Sequence, residues 1–374
     1  MFLRRFAPVL LAALAYSQAA AAEVVITINT SMADRTLALV CSGAEVDETA
    51  VRASEVVQAQ IQHNLRLRDT ATMDAYVAAL RAASACQAPA DDPFRIGDVI
   101  ANRAAYRTKI DALKVRQDEI AAVAAARIEP YLPAGMDYRG DVVLAVPYFS
   151  CGGFAARGRF FIDVRCLADD ISADNEALTM LVTHETFHAI QEQVLFQPEV
   201  GPNTTTHGAL ESLFSALITE GTATYVGRAD AVMPATGGGM LTQINRRFAG
   251  DNAQRMRANF SLLTMLFDHV RRARDPEPTV RDAYSIGFSG GTYQEMGYFV
   301  GAQMAGDIER AWGRDALVCV MRLPPEQFVL AHDAVAAAST ADPALLRLGP
   351  AAEDAARYVA RRRGGQHGYA ACRG

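Results

Sequence analysis

The apolar and polar positions of this chain follow two periods, a short stretch of period two and long stretches spaced by threes and fours. Glu23 to Thr30 alternates as a strand does. Helical spacing follows over 46–66, 71–86 and 97–129, and the last stops at Glu129-Pro130 because proline cannot continue a helix. Met73, Tyr76, Leu80 and Ala83 share one face, as do Ile110, Leu113 and Ile120, and these stripes read as packing surfaces. From Asp141 to Phe149 and from Arg159 to Arg165 the chain is rich in β-formers. Gly152, Gly153 and Gly158 lie between these runs, so a hairpin is predicted. Residues 175–196 return to helical spacing, with Ala177, Leu181, His184, His188, Gln191 and Leu195 on one stripe and Asp170, Ser172 and Asp174 offering caps before it.

A second apolar helix is predicted from near Ala209, and others over 238–248, 251–273 and 291–312. Pro276-Glu-Pro-Thr279 and the glycine-rich stretch Gly287–Gly291 read as the loop between the last two. From Leu323-Pro-Pro onward, one or two packing helices precede an irregular end. The expected fold class is therefore mainly α with a small β-sheet (α+β). A signal peptide over 1–22 would precede a helical N-terminal region over 23–132, a catalytic core over 133–322 and a C-terminal helical segment and tail over 323–374.

The signal-peptide expectation rests on Arg4 and Arg5, the apolar run Phe6–Ala15, and Ala20-Ala21-Ala22 before Glu23. Cleavage after Ala22 would place the mature chain in the periplasm or outside the cell, with no stable membrane span. Six cysteines agree with an oxidising compartment. Sequence neighbours suggest the pairs Cys41–Cys86, Cys151–Cys166 and Cys319–Cys372, and no paired Cys-x-x-Cys motif suggests structural zinc. A net charge of −6 argues against nucleic acid and anionic membrane as partners.

The chemistry is concentrated in His184-Glu185-Thr186-Phe187-His188. Four residues make just over one helical turn, so both imidazoles project from one face and can chelate one Zn²⁺, with Glu185 beside a metal-bound water as general base. Catalytic zinc commonly takes a third protein ligand. Glu220 is the first candidate, an isolated carboxylate among Leu213, Leu217, Ala223 and Tyr225 on the second helix, followed by Gly221, which permits a close approach. His207, in a stretch that reads as a loop, and Glu211, near that helix's start, are the rivals. For a donor to a developing oxyanion, Tyr298 is the candidate, with Tyr293 and His207 behind it.

His184-Glu-Thr-Phe-His-Ala-Ile-Gln191, then Glu220-Gly-Thr-Ala-Thr-Tyr225, then Gly297-Tyr-Phe-Val-Gly301, resembles the gluzincin metallopeptidases. It is most similar to bacterial zinc-dependent peptidase families of undefined function. The resemblance runs from roughly Val142 to Arg310. It implies a gluzincin-like catalytic core, Zn²⁺ held by His184, His188 and Glu220, Glu185 as general base, and a peptide or protein substrate. It also implies that one of the two β-rich runs is a sheet edge that pairs with extended substrate, the alternative being a structural hairpin closed by Cys151–Cys166. Two features depart from thermolysin-like enzymes. The stretch from His188 to Glu220 is longer, and Thr224 stands where those carry an aspartate one turn after the ligand. Gln294-Glu-Met-Gly297 does not match the exopeptidase signature of zinc aminopeptidases. Two other readings use the same residues: a zinc hydrolase acting on a non-peptide amide, and a catalytically silent envelope or binding protein.

Overall fold

The computed structural model describes residues 22–146, 153–196, 203–339, 345–364 and 368–373. The expected signal peptide, apart from Ala22, and Cys151 lie outside them.

Runs of valine, isoleucine and phenylalanine make a small sheet. Its strands are β1 (Val24–Asn29), β2 (Tyr138–Ala145), β3 (Gly153–Ala156) and β4 (Arg159–Asp163), in spatial order β1-β2-β4-β3. The two β-rich runs are neighbours, with Val142 opposite Phe160 and Leu144 opposite Ile162, but they pair parallel rather than as the predicted hairpin. The hairpin is β3–β4. Its turn residues Arg157 and Gly158 have φ of 52° and 70°, the left-handed pair that a two-residue hairpin requires. The strand itself is anchored by Phe154, whose ring stacks on Phe161 at 4.4 Å. Neither β2 nor β4 is therefore an edge; the edges are β1 and β3.

Six helices form the N-terminal part: α1 (Ser31–Leu39), α2 (Glu48–Ala53), α3 (Glu55–Leu67), α4 (Met73–Ser84), α5 (Ile96–Lys114) and α6 (Gln117–Ile128). The expected helix over 46–66 breaks at Ser54, which ends α2 and caps α3 by accepting from the Val57 N–H. The one over 97–129 divides into α5 and α6. The disulfide Cys41–Cys86 ties the ends of α1 and α4.

The remaining helices are α7 (Val164–Ser172), α8 (Ala177–Val194), α9 (Thr206–Gly227), α10 (Met240–Arg272), α11 (Pro276–Phe288), α12 (Met296–Trp312), α13 (Arg314–Met321), α14 (Glu326–Ala338) and α15 (Pro350–Arg362). α10 is two helices joined across a kink at Arg255 (φ −110°, ψ 16°), as expected in number, with the break a few residues later than the predicted 248–251. α11 occupies the stretch read as a loop, because Pro276 stands in the first turn, where a missing N–H costs nothing. Asp170 does not cap α8. Its buried carboxylate accepts from the backbone N–H groups of Gly239, Leu241 and Thr242 and from the Thr242 hydroxyl, so it caps α10 across the fold.

α8 packs against α6, α9 and the sheet, and α9 against α8, α12 and α10. The α9–α12 crossing is made by two glycines. A Cβ on Gly221 would lie 2.4 Å from Gly301 Cα, and a Cβ on Gly301 would lie 2.5 Å from the Leu217 carbonyl oxygen. One continuous apolar core reaches from Val24 to Cys372, whose bridge to Cys319 fastens the chain end to α13. Cys166 is also disulfide-bonded. Among the described residues no helix is long and apolar enough to cross a membrane.

Candidate metal centre

Helical spacing on α8 sets His184 and His188 one turn apart, and their Nε2 atoms meet at 3.0 Å. Glu220 reaches them from α9. Its Oε2 lies 3.5 Å from His184 Nε2 and 3.2 Å from His188 Nε2. These ligand atoms all fall within 4.8 Å of one another, and among the described residues this is the cluster suited to a metal ion. Two imidazole nitrogens and one carboxylate oxygen are the donor set of a catalytic zinc that keeps a coordination position for water.

The electrostatics match a built site. Burial alone would lower the His188 imidazole, but the hydrogen bond and charge of Glu220 raise it to about 9. Burial would raise the Glu220 carboxyl, but both histidines hold it far below the ordinary carboxylate range.

Gln191 orients the pair, a role that its place on the stripe did not disclose. Its side-chain N–H donates to the Thr219 carbonyl at 2.9 Å and to the Thr222 hydroxyl at 2.7 Å. Its Oε1 is thereby turned toward His188 Nδ1, 2.7 Å away. With Nδ1 as the donor, Nε2 is the nitrogen that faces His184 and Glu220. Gln191→Leu is expected to weaken zinc binding about 10- to 100-fold with the fold retained. Competition against a zinc chelator measures this, and unchanged affinity would show that Gln191 has no such role.

Glu185 points into the cavities on both sides of the cluster. One, of about 500 Å³, is lined by Glu185, His188 and Glu220 together with Ala155 of β3 and Glu211, Ser212 and Ser215 of α9. The other, of about 360 Å³, adds His184, Asn245, Glu295 and Tyr298. Tyr298 lies parallel to the His184 ring at 6.0 Å, and burial followed by the charges of Glu220 and Glu295 holds its phenol far above its ordinary value. Its hydroxyl hydrogen-bonds to Glu220. Tyr293 is exposed and does not line either cavity.

His207 sits in the first turn of α9, not in a loop, with Nε2 3.8 Å from Glu211. Glu211 is buried and ion-paired with Arg363. The two rival ligands are thus engaged with each other and with Arg363, just past the end of α15, and neither joins the metal cluster.

A family model described as "Putative zinc dependent peptidase (DUF5700)" matches residues 49–341. The chain belongs to this family. No curated protein and no solved structure matches it. The span that defines DUF5700 here contains the two histidines, Glu185, Gln191, Glu220 and Tyr298, and also α3 to α6, of which α6 packs against β1 and α8 and α3 against β3.

Sequence reasoning missed one acid of this DUF5700 site. Glu295 starts α12 in a left-handed conformation, φ 57°, and lines the cavity with His184, His188 and Glu220. Burial, then Glu220 and Glu185, push its carboxyl up to about 7. A Gln-Glu pair after a glycine run reads as an exposed turn, so nothing in the sequence signalled it.

Proposed function

We propose that this DUF5700 member is an exported zinc metallopeptidase of gluzincin type. The observation that carries the reading is the convergence of His184, His188 and Glu220 with Glu185 in the same cavity. Bound by those three ligands, zinc supplies Lewis acidity and lowers the pKa of water toward neutrality. Glu185 would take a proton from the attacking water and return it to the leaving amine. Tyr298 donates to the oxygen that gains charge on the scissile carbonyl. β3 offers an edge for extended substrate: Ala155 lines the cavity with Glu185 and His188, and Gly153 and Ala155 are exposed. Residues 133–322 form the catalytic core in this reading, covered by the helical region before it. The disulfides Cys41–Cys86 and Cys319–Cys372 favour an oxidising compartment outside the cytoplasm.

Metal content tests the ligand set. Glu220→Ala is expected to lose most of its zinc after dialysis, while His207→Ala keeps a full equivalent. Zinc measured by atomic emission on both purified proteins decides it. Full zinc in Glu220→Ala together with loss in His207→Ala would overturn the gluzincin assignment.

A further inference from the structure

Glu295 is the acid of the cavity that no step above employs. It lines the space with His184, Glu185, His188, Glu220 and Tyr298. Among the described residues its carboxylate has no ion pair and no hydrogen-bond partner, and its charged neighbours are Glu220 and Glu185. Two opposite demands meet here: an acid is kept in a half-buried place, and nothing in the chain neutralises it.

The segment carrying it is held in place at some cost. Gln294 and Glu295 both have positive φ, 53° and 57°, a conformation that non-glycine residues adopt rarely. α10 clamps it. Asn252 donates to the Gln294 carbonyl at 2.9 Å, and Arg255 donates to the Tyr293 carbonyl at 2.9 Å and to the Gln294 side chain at 2.7 Å. Gln294 donates in turn to Asp251 at 2.7 Å. The bend of α10 at Arg255 falls at this clamp. Gly290 leaves room for the carboxylate, since a Cβ there would lie 3.2 Å from Glu295 Oε1. Backbone strain with a dedicated clamp is expected where a side chain must be presented to a ligand.

Charge counting gives the class of ligand. Both charged neighbours of Glu295, Glu220 and Glu185, are negative, so its ionised form lacks the counter-charge that a cationic ligand would supply. We propose that Glu295 reads a protonated amine of the substrate, on the side of the scissile bond that faces α12. This rests on the peptidase reading. The amine is either the α-amino terminus of a peptide or the side chain of lysine or arginine.

Zinc-loaded enzyme is given matched peptides, with the N-terminus free or acetylated and with lysine or norleucine at each position, and cleavage is followed by mass spectrometry. The expected result is a preference of about 10- to 100-fold in kcat/KM for one cationic member of these pairs. Loss on acetylation identifies the α-amine, and loss on norleucine replacement identifies the side chain. In Glu295→Gln the preference for the cationic member should vanish, with the zinc content unchanged. Glu295→Lys should reverse it toward an acidic group. Cleavage indifferent to both replacements in the unmodified enzyme overturns the inference alone. Failure to cut any peptide overturns the peptidase reading and this inference with it.

Discussion

Glu185→Gln is expected to keep its zinc and to lose peptide hydrolysis by about 10³-fold or more. The magnitude follows from the role: a positioned general base supplies typically 10²- to 10⁴-fold, and here the same group also returns the proton to the leaving amine. Glutamine matches glutamate in size and keeps a carbonyl oxygen, but it cannot take a proton. Glu185 is not one of the three clustered ligands, so the metal should remain. The measurement pairs single-turnover rates with zinc content. Activity within tenfold of the unmodified enzyme would remove Glu185 from the mechanism, and loss of zinc would make it a ligand instead.

The second large effect is expected far from any proton transfer. Gly221→Ala should cost about 3 kcal/mol of stability, at the upper end for overpacking, because the new methyl meets main chain and not a side chain that can rotate away. The atoms in its way are Gly301 Cα and carbonyl carbon, at 2.4 and 2.6 Å. Helices α9 and α12 would have to part, and with them Glu220 and Tyr298, which α9 and α12 carry at the site. Zinc affinity should therefore fall along with stability. Gly301→Ala should behave alike, and the double substitution should cost less than the sum, since one separation accommodates both methyls. Gly250→Ala is the control. It lies on α10 with the flexible end of Met233 as its nearest neighbour at 3.5 Å, so added helix propensity should make it neutral or stabilising. Denaturant titration of the four proteins tests this. A loss below 0.5 kcal/mol for Gly221→Ala, on the order of an ordinary surface change, would show that the crossing is not tight.

These two glycines also mark what the sequence could disclose. The motif helix and its metal-binding face were legible because helical periodicity is local. Glu220 stood out because a lone carboxylate in an apolar helix needs a partner. That Gly221 permits a close approach could be read, but not that the approaching backbone is α12. Strand pairing was misread for the same reason. The two β-rich runs suggested a hairpin by proximity, whereas the sheet joins them parallel and draws its hairpin partner from the small residues Gly153–Ala156. Asp170 lay close before α8 and looked like its cap, yet it satisfies the first turn of α10. α11 was hidden by Pro276 and Pro278, which read as breakers but stand at a helix start. Glu295 and Gln191 acquire their roles only from what tertiary packing places beside them.

The edge strand β3 has a consequence for solubility. An open strand edge invites pairing with the backbone of a second molecule of the same chain. Here the strand is four residues, Gly153–Ala156. That is roughly 13 Å of hydrogen-bonding edge, enough for a few residues of a bound peptide. It ends at the left-handed Arg157-Gly158 turn, and glycine and alanine are poor aggregation formers. If β3 takes substrate as proposed, its edge is short enough to hold a few residues without templating the assembly of its own kind.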